Sequence, residues 1–289
     1  MQPTIFQKYR HSGKFGAHGP LLHLLVAGAV GFPLGLIYAY VTTWLPFVYL
    51  NFLITVGYGA LVGVIGAVIM KHCRVRNNAV AMVGALASGL VVLYFIWSAH
   101  VHVTYKGAPI LSGPESILDA IRELYARGSW TLKGTVVTGI PLAIVWAGEA
   151  LIIVGMTTLV TATNIADTPY CEENQCWLDE EKTIDTVSAF TDPAQLDRLK
   201  HGDLGPLTQA QPKASDALKW TRLTLKHSAK CQVFCTVRLS EVTRTVKDGS
   251  THDRVLHLTG NLILPHSSLA LLTRFEEFGK QEGSTQAAA

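Results

Sequence analysis

Four stretches of this chain, residues 21–41, 47–70, 79–98 and 135–160, hold one carboxylate, Glu149, and no lysine or arginine. A hydrocarbon layer about 30 Å thick is crossed by roughly twenty helical residues, and a helix is one of only two structures that satisfy every backbone polar group there. The pattern predicts a membrane-embedded all-α bundle of four helices. Composition agrees: 49% of the 289 residues are hydrophobic and 16% charged, against about a quarter charged in soluble proteins. The first apolar run starts after residue 20, is too long for a secretory signal and leads into a second, so the N-terminal segment 1–20 is expected to be retained.

Residues 42–46 are too few to do more than reverse the chain, and Tyr38, Tyr40, Trp44 and Tyr49 flank them. Aromatic rings with a polar edge favour the membrane surface, so this turn is expected at one face. Lys8, Arg10, Lys14, Lys71, Arg74 and Arg76 lie before the first helix and after the second, whereas the 42–46 turn has no basic residue and the longer 99–133 loop has four. The positive-inside rule then puts both termini in the cytosol and the 99–133 loop outside.

Inside that loop, Ile117, Leu118, Ile121, Leu124 and Tyr125 recur at helical spacing. They predict a short amphipathic helix, either a lid on the bundle or a docking element. Small residues four apart, Gly31 and Gly35, Gly59 and Gly63, Ala81, Ala85 and Gly89, let helices approach closely, within the bundle or across a homo-oligomer contact. Pro33 and Pro141 are expected to bend their helices.

After residue 160 the period changes from helical to two, predicting a cytosolic α+β domain over 161–279 and a flexible tail over 280–289. Its expected centre is an antiparallel three-stranded meander with flanking helices. The strands are one around 220–226, one with Cys231, Val233, Cys235, Val237 and Leu239 on a single face, and one with Leu256, Leu258, Leu262 and Leu264. Asp248-Gly249 suits the hairpin between the last two. Asp192-Pro193 predicts a helix start, and Ser267 or Ser268 another, with Leu269, Leu272, Phe275 and Phe278 facing the sheet.

Candidate chemistry is sparse. Glu149 is costly at membrane depth and could carry protons or bind a cation, or pack as a hydrogen-bonded structural residue; Trp146 lies one turn before it. Cys171 and Cys176 could contribute to a zinc site if other ligands converged, but Cys231 and Cys235, four apart on a strand, are about 13 Å from each other and cannot jointly supply them. No cofactor is the primary expectation, with zinc the alternative. His23, His72, His100 and His102 sit near membrane boundaries, as haem ligands or as interfacial polar residues. No phosphate-binding loop, metalloprotease helix, nucleophile elbow or dinucleotide glycine signature occurs, and a net charge of +3 is not that of a nucleic-acid-binding surface.

Gly35-Leu-Ile-Tyr-Ala-Tyr, Trp44-Leu-Pro-Phe-Val-Tyr-Leu-Asn51 and Trp146-Ala-Gly-Glu-Ala150 resemble a group of bacterial four-helix, multi-pass membrane proteins of unknown function. That group often carries Cys-x-x-Cys and then Trp at the start of its soluble tail; here Cys171 and Trp177 fit, but position 174 is Asn and the second cysteine stands at 176. The resemblance implies a bacterial inner membrane and no particular activity. The expected function is an anchored cytosolic domain that contacts a protein partner or regulates an assembly. The alternative is a small transporter or proton-conducting protein using Glu149, and a third reading is a haem-bearing redox protein.

Overall fold

The structure is a computed structural model that describes residues 5–16, 18–45, 48–132, 134–214, 216–247, 250–269 and 275. The chain forms two compact units, one over Ser12–Asp167 and one in which the residues up to His11 join those from Thr168 onward.

The first unit holds four helices long and apolar enough to cross a membrane: α1 (His18–Trp44), α2 (Val48–His72), α3 (Asn78–Thr104) and α5 (Gly139–Asp167). Between the last two lie α4 (Pro114–Arg127) and a hairpin of β1 (Trp130–Leu132) and β2 (Thr135–Val137). α1 packs on α3, while α5 packs on both α2 and α3. The contacts are made where side chains are smallest. A Cβ on Gly59 would stand 2.9 Å from Met156 Cβ and 3.0 Å from the Ile153 carbonyl oxygen, and one on Gly63 would stand 2.7 Å from Val160 Cβ. With the backbones this close, Thr157 donates to the Gly59 carbonyl at 3.2 Å and Thr161 to the Gly63 carbonyl at 3.0 Å. Gly31 and Gly35 do the same for α1 against Val92 and Ile96 of α3. The four-residue spacings therefore serve packing within the bundle.

Several boundaries differ from those read in the sequence. α3 runs on to Thr104, because the Ser98 hydroxyl and the His102 ring hold the following loop back on the helix: Ser98 Oγ accepts from Ser112 N–H at 2.6 Å and His102 Nδ1 donates to the Ala108 carbonyl at 2.8 Å. α5 starts at Gly139, since residues 135–137 pair as β2. Pro141 consequently sits in the first helical turn, where its missing N–H breaks no bond, whereas Pro33 lies inside α1. Tyr38 is buried and hydrogen-bonded to Thr55, whereas Tyr40, Trp44 and Tyr49 are exposed. α4 buries Ile117, Ala120 and Leu124 and leaves Leu118 and Tyr125 exposed; Ile117 packs beside Val101, Tyr94 and Trp97 of α3.

The second unit is built on an antiparallel sheet of five strands rather than three: β5 (Glu180–Ser188), β6 (Lys219–His227), β7 (Phe234–Lys247), β8 (Ser250–His257) and β9 (Leu262–Pro265), preceded by a short hairpin of β3 (Tyr170–Cys171) and β4 (Cys176–Trp177). The run expected as one strand from Leu256 to Leu264 is two. β8 pairs with the second half of β7, from Ser240, and β9 crosses to its first half, at Phe234–Val237. Cys231 precedes β7 and Val233 is 39% exposed, so the single face read there begins at Cys235. Residues 5–9 run alongside β9: Ile263 N–H donates to the Gln7 carbonyl at 2.9 Å and Tyr9 N–H to the Asn261 carbonyl at 2.7 Å.

One sheet face buries Ile184, Val187, Leu223, Leu225, Val237, Leu239, Leu262 and Leu264 beneath Leu199 of α6 (Pro193–Lys200), Leu207 and Phe275. Asp192 caps α6 as expected, accepting from Ala194 N–H at 2.9 Å. On the other face Trp220, 2% exposed, lies between the Lys213 ammonium at 4.6 Å and the Arg244 guanidinium at 4.9 Å, and donates its indole proton to Asp185. The Asp248-Gly249 turn, the tail 280–289 and all of the expected final helix but Leu269 and Phe275 lie outside the described residues.

Candidate functional site

Glu149 is the eleventh residue of α5, roughly 15 Å along the helix from its start at 1.5 Å per residue. It lines a cavity of about 550 Å³ at the end of the bundle where α1 gives way to α2. Four helices and the β1–β2 hairpin supply the walls: Tyr38 and Thr42 from α1, Asn51 and Phe52 from α2, Trp97 and His100 from α3, Trp130 from β1, and Trp146 and Glu149 from α5.

The aromatic wall is ordered. Trp97 meets Trp146 edge to face, with centroids 5.2 Å apart and planes at 82°, and also meets the His100 ring at 5.8 Å and the same angle. Trp146 and Glu149, three residues apart on α5, share a helix face, which brings the carboxylate to this aromatic corner.

Opposite, Tyr38 and Thr55 hydroxyls are 2.8 Å apart, and Thr55 donates to the Asn51 carbonyl at 2.8 Å. Asn51 Nδ2 reaches the Thr42 and Leu45 carbonyls at 3.4 Å each, which fixes the α1–α2 reversal. Its Oδ1 is buried and has no hydrogen-bond partner among the described residues. Among the described residues that line the cavity there is no lysine or arginine.

The other sequence candidates fall elsewhere. His23 is fully buried against Gly66, its two ring nitrogens without partners among the described residues, while His72 is exposed at the end of α2. His100 lines the cavity and His102 is engaged by Ala108.

Cys171 and Cys176 face each other across β3 and β4, and Cys231 joins them, a convergence that testing Cys231 against Cys235 alone does not find. Burial pushes the Cys171 thiol up to about 11; the Asn174 N–H, 3.5 Å from its sulfur, works against this and neighbouring Cys231 adds to it. Burial also raises Cys176. These are thiols kept protonated at neutral pH. Among the described residues no three His, Cys, Asp or Glu side chains gather closely enough to hold one metal ion.

No protein-family model, curated protein or solved structure matches the chain. Glu149 and Trp146 are legible in the sequence as a carboxylate and an aromatic one turn apart. Tyr38, Asn51, Trp97 and Trp130 are not, because each reaches the site from a different element and none is unusual where it stands in the sequence.

Proposed function

We propose that the protein is a small membrane transporter whose solute site is the cavity around Glu149. The observation that carries this is a carboxylate residue, borne on a helix long and apolar enough to cross a membrane, in the lining of a chamber walled by aromatic and hydrogen-bonding side chains. A carboxyl group costs several kcal/mol inside a bilayer unless it faces protein or water, and such groups concentrate on ion and substrate paths. Had Glu149 only been packed away, neighbouring donors would satisfy it; the described residues give it no ion pair, and space adjoins it.

In the setting we propose, a bacterial inner membrane with both termini cytosolic, the cavity end of the bundle faces outward. Purified protein in sealed vesicles should support flux of protons or of a cationic solute. Glu149→Gln, which keeps the shape and removes the charge, should abolish it. Equal flux in that variant would remove Glu149 from the mechanism and end the transport reading.

A second reading, an anchored domain that contacts a protein partner, draws on β8. This edge strand is exposed along its whole length, with Val255 41% and Leu256 56% exposed. An unpaired edge accepts an extended segment of another chain by strand addition. A stoichiometric partner recovered with the full-length protein, and lost when Thr251 is replaced by proline, would favour it; retention by that variant would not.

A further inference from the structure

We infer that the solute of the Glu149 cavity is an organic ammonium ion, a protonated amine carried on an apolar body. The assignment rests on the cavity being a solute site, as argued above, and follows from three features of its lining.

The first is charge. Glu149 is the one carboxylate among the described lining residues, and no lysine or arginine among them neutralises it. In a chamber partly shielded from water, an anion would be repelled, and a neutral solute would leave the carboxylate unpaired.

The second is the wall. Trp97, Trp130, Trp146 and Phe52 line the space, and the negative face of an aromatic ring attracts an ammonium group within about 6 Å, tryptophan most strongly. The perpendicular Trp97–Trp146 pair forms a corner one helical turn from Glu149, so a single cation can meet an indole face and a carboxylate together.

The third is the balance of donors and acceptors. A protonated amine carries several N–H donors, and the lining residues that carry acceptors include Glu149 and the hydroxyl side chains Tyr38, Thr42, Thr43, Ser129 and Thr131. A quaternary ammonium ion has no N–H to donate to them, so the protonated amine fits better.

A bare metal ion fits less well. Hard cations require about six oxygen ligands at 2.0–2.6 Å, and one carboxylate among tryptophans does not provide them. The cavity of about 550 Å³ is instead of the size that encloses a small organic molecule.

The test is equilibrium binding to the full-length protein in lipid nanodiscs, with 2-phenylethylammonium and its neutral isostere 2-phenylethanol as probes. Intrinsic tryptophan fluorescence and equilibrium dialysis supply two readouts. The ammonium ion should bind saturably and about tenfold or more tighter than the alcohol. Glu149→Gln should bring it down to the level of the alcohol, and Trp146→Ala should weaken it about fivefold while Trp146→Phe keeps most of the affinity. A helical circular-dichroism spectrum and an unchanged elution volume show that each variant is folded.

Equal binding of the two probes, or unchanged ammonium binding by Glu149→Gln, overturns the cation assignment and leaves the cavity a solute site. Absence of saturable binding by either probe also overturns the assignment. Glu149-dependent proton flux in that case preserves the transport reading without it. Ammonium binding with no flux in vesicles supports the assignment and removes transport.

Discussion

The Thr157 hydroxyl on α5 donates across the helix interface to the carbonyl of Gly59 on α2, at 3.2 Å. The bond exists because Gly59 has no side chain to hold the helices apart. A Cβ there would meet the Ile153 carbonyl oxygen at 3.0 Å, a backbone atom that cannot step aside. Gly59→Val should cost about 1–3 kcal/mol through overpacking. Thr157→Val, which removes only the hydroxyl, should cost about 0.6 kcal/mol, as is typical of interhelical hydrogen bonds in membranes. Unfolding of the purified protein in mixed micelles with increasing sodium dodecyl sulfate, followed by far-UV circular dichroism, measures both. An order with Thr157→Val the more damaging would contradict the packing argument.

Asp185 accepts from Arg222 through both oxygens, at 2.7 Å each, and from the Trp220 indole at 3.1 Å. Burial alone would raise its carboxyl group, but the Arg222 and Trp220 hydrogen bonds outweigh that and hold it below the ordinary carboxylate value of 3.8. A carboxylate depressed in the folded state stabilises it above the unfolded value and loses that contribution as pH falls through the folded one. Asp185→Asn should therefore cost about 1 kcal/mol at neutral pH, a modest figure because the carboxylate is 37% exposed and partly screened. The difference from the parent should shrink below about pH 4 as the parent protonates. Thermal unfolding of the soluble unit at pH 7 and pH 3, read by near-UV circular dichroism, provides the comparison.

All five cysteines are free, and Cys176 alone is partly exposed. In folded protein, N-ethylmaleimide should modify Cys176 first and leave Cys73, Cys171, Cys231 and Cys235 intact, while denatured protein takes five adducts. The Cys176 rate should rise about tenfold per pH unit between pH 7 and 8.5, because its thiol is held above the ordinary value. Cys171 and Cys235 are pushed up to about 11 from 9.0, so their neutral forms favour the folded state until the unfolded thiols ionise. Stability of the soluble unit should then decline from about pH 9 to about pH 11. Intact-mass spectra and a melting series across that interval give the readouts.

Residues 5–9 supply backbone partners to Asn261, Ile263 and Gly202, and Phe6 packs on the core beneath them. Deleting residues 2–9 should expose Leu262 and destabilise the soluble unit by about 2–4 kcal/mol. Limited proteolysis should then cut between β8 and β9 in the truncated protein long before it does so in the parent. An unchanged digestion pattern would mean that these residues add nothing to the sheet.

The bundle was legible in the sequence because lipid imposes one demand on every residue of a span, and Glu149 stood out by breaking it. Helix ends were less so: His100 and His102 read as loop residues, although hydrogen bonds from Ser98 and His102 extend α3 past both. In the soluble unit, β6 and much of β7 show their alternation. β5 does not, since Glu180, Glu181 and Lys182 face water and only Ile184 and Val187 are buried. The edge segment at residues 5–9 carries little pattern of its own, because its contribution lies in backbone bonds. The Glu149 cavity and the three-cysteine cluster both join residues far apart in the chain, and that kind of adjacency leaves no local spacing to read.

The pairing of residues 5–9 with β9 carries a topological consequence. Strands of one sheet fold in one aqueous compartment, so Gln7 and Ile263, hydrogen-bonded at 2.9 Å, emerge on the same side of any bilayer the protein crosses. The chain between them must then traverse that bilayer an even number of times, a parity that four spans satisfy and three or five would violate. The sheet thus acts as a clasp on the membrane topology, independent of where the lysines and arginines fall: inverting one hairpin leaves it closed, whereas the loss of any single span would pull its two halves into different solvents.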